Sequence, residues 1–162
     1  MHVTSIYSNQ ARLASSLGKN PASPAGRRRP PFQKGILIVE DHAAVRTFLR
    51  AILSSCGYHV FEADGEAQAF RIWNKHFHQI DLLLTDICIP YLTTGVELAK
   101  KLRNEKSWLQ IIYITGFSRE IVAADEILLV ENINFFRKPF AADKLLDAVR
   151  KCFAGLGQSS PN

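Results

Sequence analysis

The chain is short of several things, and each shortage excludes a class. Cysteine occurs three times in 162 residues, as Cys56, Cys88 and Cys152, an odd, widely spaced set with no C-x-x-C. That argues against a disulfide scaffold and a cysteine zinc site, and fits a reducing compartment. No apolar run approaches the about 18 residues that a membrane-spanning helix needs. No G-x-G-x-x-G follows the first apolar run, where Glu40-Asp41-His42 stands instead, so a dinucleotide fold lacks its phosphate loop. Acidic residues are absent from residues 1–34, which hold six Lys or Arg. The remaining residues hold 14 Lys or Arg against 15 Asp or Glu, so the formal net charge of +5 belongs to the first segment alone.

That segment is rich in Ser, Ala, Pro and Asn, ends in Arg27-Arg28-Arg29-Pro30-Pro31, and shows no sustained period. It reads first as a disordered, solvated extension that cannot offset its ordering entropy. An organelle transit peptide and a nucleic-acid or lipid contact through the triple Arg are the competing readings. A secretory signal is excluded by the missing apolar core. The expected division is 1–34 as a basic extension, 35–154 as one globular domain and 155–162 as a polar tail.

From Gly35 the texture changes. Gly35–Val39, Leu82–Thr85 and Ile111–Ile114 are continuous apolar runs of the kind a strand covered on both faces requires. Tyr58–Phe61 and Ile133–Phe136 complete five expected strands. Between them lie five helical stretches. The first carries Val45, Phe48, Leu49, Ile52 and Cys56 on one stripe and stops at Gly57. The second is capped by Asp64, with Ala67, Phe70 and Trp73 or Ile72 inward. The third runs from Gly95 to about Asn104, the fourth from Ser118 to about Val130, and the last from Ala142 to Phe153. Strands alternating with helices predict an α/β fold with a doubly wound parallel sheet. In such sheets the functional crevice lies at the carboxyl ends of the strands.

Those ends carry Glu40 and Asp41, then Asp86, then Thr115, then Lys138-Pro139. Each alone is ordinary: a first-turn acid, a strand-end Asp, a turn Thr, a solvated Lys. Together they place three carboxylates, a hydroxyl and an ammonium on one edge. Crowded carboxylates repel unless a cation intervenes. Mg2+ prefers oxygen donors and commonly binds a few carboxylates with a phosphoryl group. A central Asp86 is a candidate nucleophile toward phosphorus, with Lys138 and the metal neutralising the transferred group.

The segments Ile38-Val39-Glu40-Asp41, Leu83-Leu84-Thr85-Asp86-Ile87-Cys88-Ile89-Pro90, Gly95-Val96-Glu97-Leu98, Tyr113-Ile114-Thr115-Gly116 and Phe136-Arg137-Lys138-Pro139-Phe140 resemble, in order and spacing, the receiver domain of two-component response regulators. The resemblance covers about residues 35–154. It implies a flavodoxin-like five-stranded sheet of order 2-1-3-4-5 with five helices. It makes Asp86 the phospho-acceptor. Glu40, Asp41, Asp86 and the Cys88 backbone carbonyl become the Mg2+ ligands. Thr115 and Lys138 become the phosphoryl-binding residues, Phe135 the aromatic switch, and Pro139 the second residue of a cis peptide. A sensor histidine kinase or histidine phosphotransfer protein is the implied donor, in the cytoplasm.

Three positions depart from the commonest family pattern. Phe135 stands where Tyr is frequent. Cys88 and Phe117 stand two residues after Asp86 and Thr115, where family side chains modulate water access. Neither is a good general base, so an acyl phosphate on Asp86 is expected to be long-lived. A redox role for Cys88 is disfavoured, since no cationic sequence neighbour lowers its pKa. The expected fourth helix carries more apolar residues (Ile121, Val122, Ile127–Val130) than one stripe buries. Either it is partly irregular, or the face it forms with the fifth strand and last helix meets a downstream partner or a second copy of the chain.

The leading expectation is a stand-alone receiver, because nine residues after Phe153 leave no room for a DNA-binding or other effector domain. It would be a phospho-accepting signalling domain rather than a classical enzyme. The alternatives are a Mg2+-dependent aspartyl-phosphate phosphohydrolase, which would want a second acid where Cys88 stands, and a phosphorylation-independent adaptor.

Overall fold

The computed structural model describes residues 33–88, 94–116, 130–131 and 133–155. Five strands form one parallel sheet: β1 (Gly35–Val39), β2 (His59–Ala63), β3 (Leu82–Asp86), β4 (Gln110–Thr115) and β5 (Phe135–Arg137). Their order is β2-β1-β3-β4-β5. The described helices are α1 (Ala43–Ser55), α2 (Glu66–His76), α3 (Gly95–Glu105) and α4 (Ala142–Gly155), with a short 3-10 turn over Phe77–Gln79. The doubly wound sheet and its strand order are as expected. The expected helix over 118–130 lies outside the described residues except for Val130.

The strand period of two splits the core into two layers. Leu37, Val39, Leu83, Ile111, Tyr113 and Phe135 point to one face, where α2 supplies Ala69 and Trp73 and α3 supplies Val96, Leu98, Ala99 and Leu102. Ile36, Ile38, Leu82, Leu84, Ile112, Ile114 and Phe136 point to the other, under Val45, Phe48, Leu49 and Leu53 of α1 and Leu145, Ala148 and Val149 of α4. β3, central and fully buried, is apolar on both faces until its last two residues, Thr85 and Asp86. Burying each such Leu side chain contributes roughly 1.5–3 kcal/mol. That drive fixes the register which brings the ends of β1, β3 and β4 level: Val39 is opposite Thr85, and Asp86 opposite Ile114.

Several expected details are corrected. Leu53, not Cys56, completes the buried stripe of α1. Cys56 is exposed because it sits at the C-cap, where the chain leaves the helix through Gly57 at a φ of 84°. Gly65, not Asp64, is the N-cap of α2, without a side-chain cap; the Asp64 N–H donates to Gln68 instead. That start puts Ala69 inward and leaves Ala67 exposed. β2 begins at His59 and runs on to Ala63, and β5 begins at Phe135, leaving Ile133 exposed in the preceding turn. In α4, Ala148 lies inward between Leu145 and Val149, with Cys152 and Phe153 partly buried against the same layer. Among the described residues no helix is long and apolar enough to cross a membrane.

Candidate functional site

The carboxyl ends of β1, β3, β4 and β5 deliver Glu40, Asp86, Thr115 and Lys138 to one edge. Each follows or closes a buried strand, so its backbone is fixed by the sheet. Two backbone bonds fasten the strand ends together: Ile87 N–H donates to Ile114 O at 2.9 Å, and Lys138 N–H to Thr115 O at 2.7 Å. The Lys138–Pro139 peptide is cis.

Lys138 is the centre of the arrangement. Its Nζ donates to Glu40 Oε2 at 2.6 Å and to Asp86 Oδ2 at 2.5 Å. All three side chains are nearly inaccessible, at 7%, 0% and 8% exposure. The Cys88 N–H donates to the other Asp86 oxygen, Oδ1, at 2.9 Å. Asp86 is thus held at both oxygens, by an ammonium and by a backbone amide.

The charges do not balance. Burial pushes the Glu40 carboxyl above the usual carboxylate range; Lys138 opposes that shift and the nearby Asp86 adds to it. Burial alone would lower the Lys138 pKa, but Glu40 and Asp86 outweigh it, so its pKa is raised and it stays charged. Two buried carboxylates therefore share one ammonium. Asp41 stands at the rim, 26% exposed, with Oδ1 2.9 Å from His42 Nδ1. Donor atoms of Glu40, Asp41 and His42 lie within 4.8 Å of one another. A surplus of oxygen donors around a buried, undercompensated carboxylate suits a hard divalent cation.

The remaining predicted residues divide. Thr115 is fully buried at the end of β4. Cys88 is exposed beside it, and burial followed by the Asp86 charge raises its thiol pKa, against hydrogen bonding from Thr115 and the charge of Lys138. A raised pKa keeps Cys88 a thiol and gives no support to a redox role. Phe135 is not at the edge. It is buried at the start of β5, opposite Tyr113, on the face covered by α2 and α3. Phe117 and Pro90 lie outside the described residues.

The sequence reading missed two contributors. Arg46, in the first turns of α1, donates from Nη1 to Glu40 O at 2.6 Å and Asp41 O at 3.2 Å. Its signal was its place one turn into the helix that follows the acidic pair. Gly95, first residue of α3, packs so tightly on β3 that a Cβ there would lie 1.9 Å from Asp86 O.

The sequence profile of the response regulator receiver domain matches residues 36–150. The chain belongs to this family. Two similar Bacillus subtilis (strain 168) proteins are each 32% identical to it. Sporulation initiation phosphotransferase F matches over 116 residues, 72% of this chain and 90% of that protein. Chemotaxis protein CheY matches over 117 residues, 72% of this chain and 94% of that protein. Response regulator receiver protein CpdR of Brucella abortus (strain 2308) is 34% identical over 119 residues, 73% of this chain and 95% of its own length. Among solved structures, the receiver domain of the hybrid histidine kinase CckA superimposes with a TM-score of 0.60 at 29% identity, covering 73% of this chain and 97% of that one. In this receiver Glu40, Asp86, Thr115 and Lys138 stand together at the carboxyl ends of β1, β3, β4 and β5.

Proposed function

We propose that this receiver takes a phosphoryl group onto Asp86 from a sensor histidine kinase or a histidine phosphotransfer protein, with Mg2+ bound at the acidic edge. It then signals through protein–protein contacts or passes the group on. The observation that carries this reading is Lys138 Nζ set between Asp86 Oδ2 and Glu40 Oε2 at the end of the central strand. An Asp86 oxygen supplies the electron pair of the new P–O bond. The P–N bond of the donor phosphohistidine breaks, and its pair stays on the imidazole. Lys138 is already in place to neutralise the incoming phosphoryl oxygens.

Glu40, Asp41, Asp86 and the Cys88 backbone carbonyl would hold Mg2+, which when bound supplies further charge neutralisation. The Thr115 hydroxyl serves a phosphoryl oxygen, and Phe135 repacks as Thr115 moves, so that phosphorylation shifts a population between two packings. Neither Cys88 nor Phe117 has a side chain that serves as a base toward attacking water. The readout surface includes β5 and α4 and takes a downstream protein or a second copy; residues 118–129 lie outside the described ones. The relatives support the donor class. One is named a phosphotransferase, and a segment of the sensor kinase CckA of Brucella abortus is 28% identical over 116 residues. A cytoplasmic site of action goes with those partners.

The test is incubation with Mg2+ and acetyl phosphate, followed by intact mass and peptide mapping. One modification at Asp86 is expected, lost in Asp86→Asn and lost with EDTA. Continuous multiple-turnover phosphate release would point instead to a phosphohydrolase. A folded wild type that takes no phosphoryl group would point to an adaptor.

A further inference from the structure

We propose that Arg46 is the positioning residue of the acidic edge: its guanidinium fixes the Glu40 and Asp41 peptides so that both carboxylates face the cation site. The inference rests on the reading of that edge as a Mg2+-dependent phospho-acceptor.

The chain must change from strand to helix within three residues here. Glu40 N–H still pairs with β2, donating to Ala63 O at 3.1 Å. The first helical bond follows at once, from Arg46 N–H to His42 O at 3.0 Å. His42 is the N-cap of α1 but makes no side-chain cap, so the start of this helix has no clasp of the usual kind. Arg46 supplies another one. Its Nη1 reaches back under the turn and donates to two successive carbonyls, Glu40 O and Asp41 O. A planar peptide transmits that restraint to the Cα–Cβ bonds on either side of it.

The consequence is visible in Glu40. Its Oε2 meets Lys138 at 2.6 Å while its Oε1 accepts the His42 N–H at 3.2 Å. Rotating either peptide would break that division and turn Asp41 away from the rim. A guanidinium suits the task because it is always charged and presents several donors in a fixed plane. It acts on the carbonyl side of the acids and leaves their carboxylate oxygens to the cation. Arg46 therefore acts through Glu40 and Asp41 and is itself no ligand.

The experiment compares the full chain with Arg46→Ala and Arg46→Lys. Mg2+ affinity is read by isothermal titration calorimetry, and the initial rate of Asp86 modification by acetyl phosphate is followed against Mg2+ concentration. Arg46→Ala should bind Mg2+ about tenfold more weakly, the size of effect that second-layer partners of metal ligands have. Its rate at saturating Mg2+ should stay near wild type, and its thermal midpoint without metal should drop only modestly, as the loss of a helix-start clasp requires. Arg46→Lys, which keeps a charged nitrogen with several N–H donors on a shorter arm, should fall between. Wild-type Mg2+ affinity in Arg46→Ala would overturn the proposal. So would a fall in thermal midpoint and maximal rate together that Arg46→Lys does not rescue, because that pattern belongs to a purely structural residue. A wild type that neither binds Mg2+ nor becomes modified would overturn the phospho-acceptor reading beneath it.

Discussion

Glu40 carries the electrostatic tension of the site. Its pKa is raised because burial outweighs Lys138, so the native state binds this proton more tightly than the unfolded chain does. Stability must then fall as pH rises from the ordinary Glu value of about 4.3 through the raised one. In EDTA, the metal-free chain should therefore lose stability across that window. Glu40→Gln should flatten the slope and raise the thermal midpoint at neutral pH, since Lys138 keeps Asp86 as its partner. Mg2+ should in turn stabilise the wild type more than the variant. Urea titrations from about pH 4 upward measure this, and parallel slopes for the two proteins would refute it. Asp86, Thr115 and Lys138 were legible one by one from their places after apolar runs. The sharing of one ammonium by two buried acids was not, because no sequence pattern reports which carboxylate a lysine from a distant strand will meet.

At the scale of an element, α3 shows how a helix start serves the site. Thr94 and Glu97 form a reciprocal capping box, the Thr94 hydroxyl accepting from Glu97 N–H and the Glu97 carboxylate accepting from Thr94 N–H. Gly95 N–H donates to Ile87 O at 2.9 Å, drawing the helix against the end of β3. A Cβ on Gly95 would also lie 2.8 Å from Thr85 Oγ1, so α3 or the Asp86 peptide must move to admit it. Gly95→Ala should cost about 1–3 kcal/mol of stability by chemical denaturation, and should slow Asp86 modification at saturating Mg2+. A variant with wild-type stability and rate would show that the close approach is dispensable.

Element type was easier to read than element limits. β1, β3 and β4 are buried on both faces and so continuously apolar. β2 is an edge strand and half-exposed. Its apolar run breaks at Glu62, although the chain goes on pairing with β1 as far as Ala63. At α2 the chain passed over a good capping residue, Asp64, and started one residue later at Glu66 with Gly65 as cap. The start is set by how Ala69 and Trp73 seat on the sheet, and tertiary packing outranks local capping preference there.

Across the whole molecule, one sheet serves as the floor of two hydrophobic layers. Leu83 and Leu84 are neighbours in sequence, both fully buried, and belong to opposite layers. Leu83→Ala and Leu84→Ala should each cost about 2–5 kcal/mol, because either cavity opens against the central strand. Both should lower a single transition, seen alike by far-UV circular dichroism and by the fluorescence of the buried Trp73. Two separated transitions in either variant would show that the layers unfold independently. The doubly wound class was readable from alternation alone. The pairing of helices, α1 with α4 and α2 with α3, is not contained in that alternation, since it follows from which strand parity each helix covers.

Lys138 reaches its partners across 98 and 52 residues of chain. Such contacts form late, after many shorter loops have closed. A polypeptide emerging from the ribosome exposes Glu40 and Asp86 well before the lysine they share has been synthesised. On the proposed reading of Asp86, acceptor competence arrives only with the last strand of the sheet.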